Sequence, residues 1–315
     1  MSDFLELKDR DFAIDYLAGH LIEGTIVLFL GAGASKGFGL PSWIELANKL
    51  RDEMNKLRDT ENPARPHLSP IQEDSSVEQV QLAIDEDLDI IKHDEQKKIE
   101  LISKLLYPNS LAGLKAYNNN LLIALSSLLI GRRRGHINKV VTYNYDSMLE
   151  WFLSLFGFSV NTIHELPSLE GSEDVRIYHP HGYIPHPMMD SQNSSTFLVF
   201  GMQDANKRLR DGEKWRQKTK EIMASGVCLF VGMSGNTLTD RSVSPIISEV
   251  GEMVKNERPL GIWIYKDNLT PAKDSEFLRN NIIAVPIQDA DEICDFILEI
   301  SQKSLGKVLA LKKMS

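Results

Sequence analysis

Cysteine is nearly missing from this chain: Cys228 and Cys294 are its two thiols in 315 residues. Two cannot build a four-cysteine zinc site, and the scarcity fits a reducing compartment. Both are expected to pack as small apolar side chains. No apolar run reaches the ~18 residues that a membrane-spanning helix needs. The opening residues, MSDFLELKDRDF, are charged where a secretory leader is apolar, so a cytoplasmic protein is expected. Basic residues are not in excess: 35 Lys and Arg stand against 44 Asp and Glu, a net charge of −9. That balance argues against a broad nucleic-acid footprint. Internal repeats and low-complexity tracts are absent as well. What is left is ordinary: 42% hydrophobic and 25% charged residues, in a chain long enough for a large core.

The chain is organised around Thr25 to Trp43, TIVLFLGAGASKGFGLPSW. Ile26–Leu30 reads as a strand buried on both faces, as in a parallel sheet. It breaks into Gly31-Ala32-Gly33-Ala34-Ser35 and runs through Gly37 and Gly39 to Pro41. Glycines let backbone come close to a ligand, and N–H groups of such a turn can cradle phosphate. A third fingerprint glycine would fall on Lys36, and no Walker lysine follows, so a plain strand-to-helix turn is the competing reading. Ser42 is the expected cap of the next helix.

Before the glycine loop, residues 3–23 carry a helical pattern. After its helix, residues 59–76 read as a loop, and three helices are expected over 77–91, 94–107 and 111–130. Residues 60–134 are therefore taken as a helical insertion, closed by Arg132-Arg133-Arg134 as a solvated turn. Strands are expected at 137–142, 158–163, 175–178, 197–200, 226–231, 260–265 and 282–287. Helices are expected at 147–156, 205–224, 241–255 and 289–304, with 306–315 as a tail or the start of a linker. Strands alternating with helices predict an α/β fold: a doubly wound, mostly parallel, Rossmann-like sheet carrying a helical insertion. Its main domain spans 1–59 and 135–305.

Ligands of such sheets lie beyond the carboxyl ends of the strands. Four polar clusters fall there: Gly31-Ala-Gly33, Thr142-Tyr-Asn144-Tyr-Asp146, His179-Pro-His181-Gly182 and Gly232-Met-Ser234. Taken alone, Tyr143 and Tyr145 read as core aromatics, His179 as a structural histidine bonded to a backbone carbonyl, and Asp240 as the cap of the following helix. No Cys or carboxylate spacing completes a metal site around His179 and His181.

Together the four clusters resemble the sirtuin superfamily. Gly31-Ala-Gly33-Ala-Ser35-Lys-Gly-Phe-Gly39-Leu-Pro41 is similar to its G-A-G-x-S-x-x-x-G-[IL]-P loop, Thr142–Asp146 to its T-x-N-x-D motif, His181-Gly182 to its H-G, and Gly232–Ser234 to its G-x-S. The resemblance covers roughly residues 20–300 outside the insertion. It implies NAD+ as substrate, Asn144 and His181 as catalytic residues, and Gly31, Ala32, Gly33, Ser35, Gly39, Pro41, Trp43, Thr142, Asp146, Gly232 and Ser234 as residues that bind the dinucleotide. With only two cysteines, no metal is expected.

The departures shape the expectation further. The four zinc cysteines of sirtuin deacylases are missing, and their Pro-x-Phe-Arg reads Pro41-Ser-Trp43-Ile44 here. The chain thus looks closer to the zinc-free sirtuin-like NAD hydrolases of bacterial antiphage systems. The expected function is an NAD+ glycohydrolase that depletes NAD+. Expected partners are a homo-oligomer, or a sensor or nucleotidase domain or subunit, and neither a membrane nor nucleic acid directly. The chain is either complete or an effector domain of a longer one. An NAD-dependent protein deacylase, an ADP-ribosyl transferase and a non-catalytic NAD or ADP-ribose binding module are the alternatives.

Overall fold

Seven strands, all parallel, form one sheet in the order β3-β4-β2-β1-β5-β6-β7. They are β1 (Ile26–Leu30), β2 (Lys139–Thr142), β3 (Val160–Ile163), β4 (Val175–Tyr178), β5 (Val227–Val231), β6 (Gly261–Tyr265) and β7 (Ile282–Pro286). The computed structural model describes residues 2–61, 66–107, 119–131, 135–168, 171–187, 189, 194–211, 213–266 and 268–314. The helices are α1 (Arg10–Glu23), α2 (Trp43–Glu61), α3 (Val77–Leu88), α4 (Glu95–Leu106), α5 (Asn120–Leu129) and α6 (Met148–Leu155). They continue with α7 (Met202–Asp211), α8 (Glu213–Ala224), α9 (Ser244–Val254), α10 (Pro271–Arg279) and α11 (Ala290–Met314). No helix among the described residues is long and apolar enough to cross a membrane.

Strand β1 lies at the centre because its five residues are apolar throughout and every one is buried. Successive side chains alternate between faces, so each face receives its own set. Ile26, Leu28 and Leu30 join a core with Leu17, Leu50, Leu125 and Phe296 from α1, α2, α5 and α11. Val27 and Phe29 join a second core with Met223, Ile247 and Phe277 from α8, α9 and α10. Two covered faces make the sheet doubly wound, as expected. Leu28 pairs with Val140 on one side and Leu229 on the other, so β1 holds both halves of the sheet.

Helix starts follow the capping chemistry. Ser42 and Glu45 exchange side-chain and backbone bonds ahead of α2, and Ser76 with Gln79 does the same for α3. Between α2 and α3, buried Arg51 binds both carboxylate oxygens of Asp87 at 3.1 and 3.2 Å and the carbonyl of Ser69 at 2.8 Å.

Several expectations change. Helix α2 runs to Glu61, into the stretch expected to be loop. Residues 205–224 are not one helix but α7 and α8. Helix α10 was not foreseen, and α11 continues to Met314 through the expected tail. Residues 197–200 are coil, not a strand, with Leu198, Val199 and Phe200 buried. Their polar groups find partners outside the sheet: the Val199 N–H reaches the His181 carbonyl at 2.9 Å and the Leu198 N–H reaches Glu95 at 3.0 Å. The Arg132–Arg134 turn and the expected start of the 111–130 helix lie outside the described residues.

Candidate functional site

The four motif loops leave the carboxyl ends of β1, β2, β4 and β5, and hydrogen bonds tie them together. The loop after β1 meets the loop after β5 backbone to backbone. The Gly31 N–H donates to the Val231 carbonyl at 3.1 Å and the Gly33 N–H to the Gly232 carbonyl at 2.9 Å. A methyl group on Gly31 would lie 2.6 Å from the Gly232 oxygen, and one on Gly33 2.8 Å from the Gly232 Cα. Gly232 itself has φ 66°, where side chains are strained. These contacts alone account for glycine at the three positions.

The loop after β2 docks on this seam. Asn144 donates from Nδ2 to the Gly31 carbonyl at 3.0 Å and to Ser35 Oγ at 3.2 Å. Ser35 Oγ then donates to Asp146 Oδ1 at 3.0 Å. The same oxygen accepts the Met148 N–H at the start of α6, and Thr142 Oγ1 accepts the Asn144 N–H. Burial pushes the Asp146 carboxyl up to about 6, against the pull of those bonds.

Two histidines follow β4. His179 is fully buried and its Nδ1 lies 3.0 Å from the Asn144 carbonyl. A carbonyl only accepts, so Nδ1 carries a proton. Its Nε2 lies 2.6 Å from Glu150 Oε1, and Glu150 is 2% exposed. One proton is therefore shared between Nε2 and that carboxyl, and the pair fixes the Asn144 backbone. His181 faces the other way. Ser242 donates its hydroxyl to Asp240 Oδ1 at 2.6 Å. Its oxygen, 2.9 Å from His181 Nε2, therefore accepts the Nε2 proton. That leaves Nδ1 as the basic nitrogen. Burial holds the His181 pKa down at about 4, so the ring is neutral at pH 7. Tyr143 tilts against it, ring centres 4.8 Å apart.

Two cavities border this network. One is lined by Leu30, Ser35, Leu122, Asn144, Asp146 and Glu150. The other, behind His181, is lined by Tyr143, Arg208, Trp215 and Ser242 among others. The remaining motif residues sit at the edges. Ala32 opens a short 3-10 turn, Gly39 closes the next one with φ 74°, and Pro41 leads to half-buried Trp43 at the start of α2. Ser234 is exposed and accepts the Asn236 N–H at 3.1 Å.

The sequence reading missed Glu150, Ser242 and Leu122, and misjudged Asp240. Asp240 does not cap α9 with its side chain; its carboxylate takes both the N–H and the O–H of Ser242. Glu150 was findable, since it stands one helical turn beyond Asp146. Nothing local marks Ser242 or Leu122. His179 does bond a backbone carbonyl, as read from the sequence. Among the described residues no group of three or more His, Cys, Asp or Glu is placed to hold a metal ion.

Residues 138–285 match the family model described as SIR2-like domain. The match spans β2 to β7 and includes Asn144, Asp146, His181 and Gly232, but stops short of the glycine loop after β1. A search of the curated proteins finds no match to the chain.

Proposed function

We propose that this protein is an NAD+ glycohydrolase, converting NAD+ and water to nicotinamide, ADP-ribose and a proton. The observation that carries this reading is the hydrogen-bonded docking of the four motif loops: the Gly33 N–H on the Gly232 carbonyl, Asn144 Nδ2 on the Gly31 carbonyl, and His179 Nδ1 on the Asn144 carbonyl. The similarity of residues 138–285 to the SIR2-like domain points to NAD-related chemistry at these loops.

The donor set fits the substrate. Asp146 accepts from the nicotinamide carboxamide inside a cavity whose other walls, Leu30, Leu122, Met148 and Leu149, suit a flat ring. Asn144 orients the adjoining ribose and the attacking water. The loop from Gly31 to Pro41, with Ala32, Gly33, Ser35 and Gly39, holds the pyrophosphate, and Trp43 backs it. Thr142 braces Asn144, and Gly232 and Ser234 take the adenosine side. Nicotinamide leaves as a neutral group from a cationic substrate, so no strong acid is needed. The site has to favour positive charge at the ribose and position the nucleophile. His181, neutral and with a basic Nδ1, takes the proton. Its Ser242–Asp240 partners favour the imidazolium that results.

In this reading the protein is a cytoplasmic antiphage effector, held silent until it assembles with copies of itself or with a sensor or nucleotidase partner. The test is nicotinamide release from NAD+ by the purified chain, resolved by chromatography, alone and with added acyl-peptide. Asn144→Ala and His181→Ala should each lose ~10²–10⁴-fold in rate while circular dichroism stays unchanged. Wild-type rates in both variants would refute the assignment, and release that depends on the acyl-peptide would point to a deacylase.

A further inference from the structure

The cavity behind His181 has walls that the hydrolase reading does not use. It lies between the loops after β2 and β4 and the helices α7, α8 and α9, with Arg208, Trp215, Arg216 and Ile246 contributed by the helices. Three buried donors on its lining have no hydrogen-bond partner among the described residues: Tyr143 Oη, Arg208 Nε and Arg216 Nε. No carboxylate belongs to the lining among the described residues.

Arg208 carries charge as well as an unmet donor. Its guanidinium lies 5.0 Å from the ring centre of Phe197 and 6.0 Å from that of Trp215. Aromatic faces hold a cation but do not accept its in-plane N–H bonds. The described acids in its field, Asp204, Glu95 and Glu165, are engaged elsewhere. Asp204 binds Lys98 at 2.8 Å and takes the N–H groups of Phe200 and Gly201. Glu95 binds Lys98 at 2.8 Å and the Leu198 N–H, and Glu165 accepts from Thr196. Arg216 shares Glu249 with Lys220, which satisfies one end of its guanidinium. Burial lowers Arg208 to about 10, so it remains a cation at neutral pH. Burial raises Tyr143, which stays a neutral donor.

We infer that this cavity is an oxyanion site, taking the phosphate or carboxylate group of a small molecule between Arg208, Arg216 and Tyr143, beside His181. A water molecule could satisfy the donors but would leave the guanidinium charge unmatched. A guanidinium facing an anionic oxygen gains both charge and geometry. The site is distinct from the glycine loop, so it adds a second ligand to the one in the hydrolase reading.

The full chain, without NAD+, is titrated with inorganic phosphate and separately with acetate, against chloride at equal ionic strength. Thermal unfolding reads the binding. A saturable rise with phosphate, acetate or both is expected, and which ion is tighter identifies the source chemistry. Arg208→Gln should weaken that binding at least tenfold, and Arg208→Lys should restore part of it. Tyr143→Phe removes one unpartnered hydroxyl without altering charge, and should weaken binding about threefold in a chain that still folds. No saturable rise with either ion, or undiminished binding in Arg208→Gln and Tyr143→Phe, would overturn the inference. Undiminished binding would place the ion at the glycine loop instead. Because NAD+ is absent, this outcome is independent of whether the protein releases nicotinamide.

Discussion

Asp146 is buried and His181 half-buried beside the motif loops, and loss of water shifts their pKa values in opposite senses. Ionised Asp146 is disfavoured by the fold, with its pKa raised from 3.8 to about 6. Stability from this group is therefore lost as pH rises from about 4 to about 6, and the cost persists above. His181 drops from 6.5 to about 4, so the folded chain gives up that proton more readily than the unfolded one. Its contribution rises with pH over nearly the same window, which masks the first effect in the wild-type protein. Asp146→Asn keeps an acceptor for Ser35 and Met148 but cannot ionise. We expect it to be more stable than wild type by on the order of 3 kcal/mol at pH 7 and nearly equal at pH 4. Urea unfolding at the two pH values checks this. An equal difference at both would show that Asp146 ionises freely in the fold.

At the scale of elements, the seam between the loops after β1 and β5 is made of backbone. A Gly31 methyl would meet the Gly232 oxygen at 2.6 Å and the Met233 Cα at 2.7 Å, and these backbone atoms cannot swing aside as the Met233 side chain could. Gly31→Ala should cost about 1–3 kcal/mol in thermal unfolding, as overpacking does, and displace the carbonyl that holds Asn144. A variant with unchanged stability and unchanged Asn144-dependent activity would contradict this account. The elements themselves were unevenly legible. Continuous apolar runs located β1 and β5 within a residue, and Ser42 marked the start of α2. Phe197–Phe200 looks like β1 in miniature, yet its polar groups pair with a loop and with side chains, which local sequence does not encode. The split between α7 and α8 was readable in Asp211-Gly-Glu213 and was overlooked.

At the scale of the whole molecule, the helices of the 60–134 segment serve the site. Tyr107 donates to the Ile184 carbonyl at 2.8 Å and accepts the Ser147 N–H, so it braces the loops after β4 and β2. Lys98, 1% exposed, pairs with Asp204 at the start of α7. Removing that ammonium leaves a buried carboxylate without its counter-charge, so Lys98→Ala should destabilise by about 3–5 kcal/mol. Calorimetry would read the loss; a change below about 1 kcal/mol would mean that the helices do not hold α7 in place. This coupling explains what the sequence withheld. Motif residues follow their own strands and can be read in line, whereas Glu150, Ser242, Tyr107 and Leu122 matter only through contacts across the fold. The order of the strands also bears on how the chain is made. Ile26–Leu30, the central ribbon, emerges early, but its neighbours are Lys139–Thr142 and Val227–Val231. During synthesis one edge stays open until residue 142 has left the ribosome and the other until residue 231 has. Slow pairing of so apolar a segment makes aggregation of the nascent chain, rather than instability of the finished one, the limiting hazard in producing it.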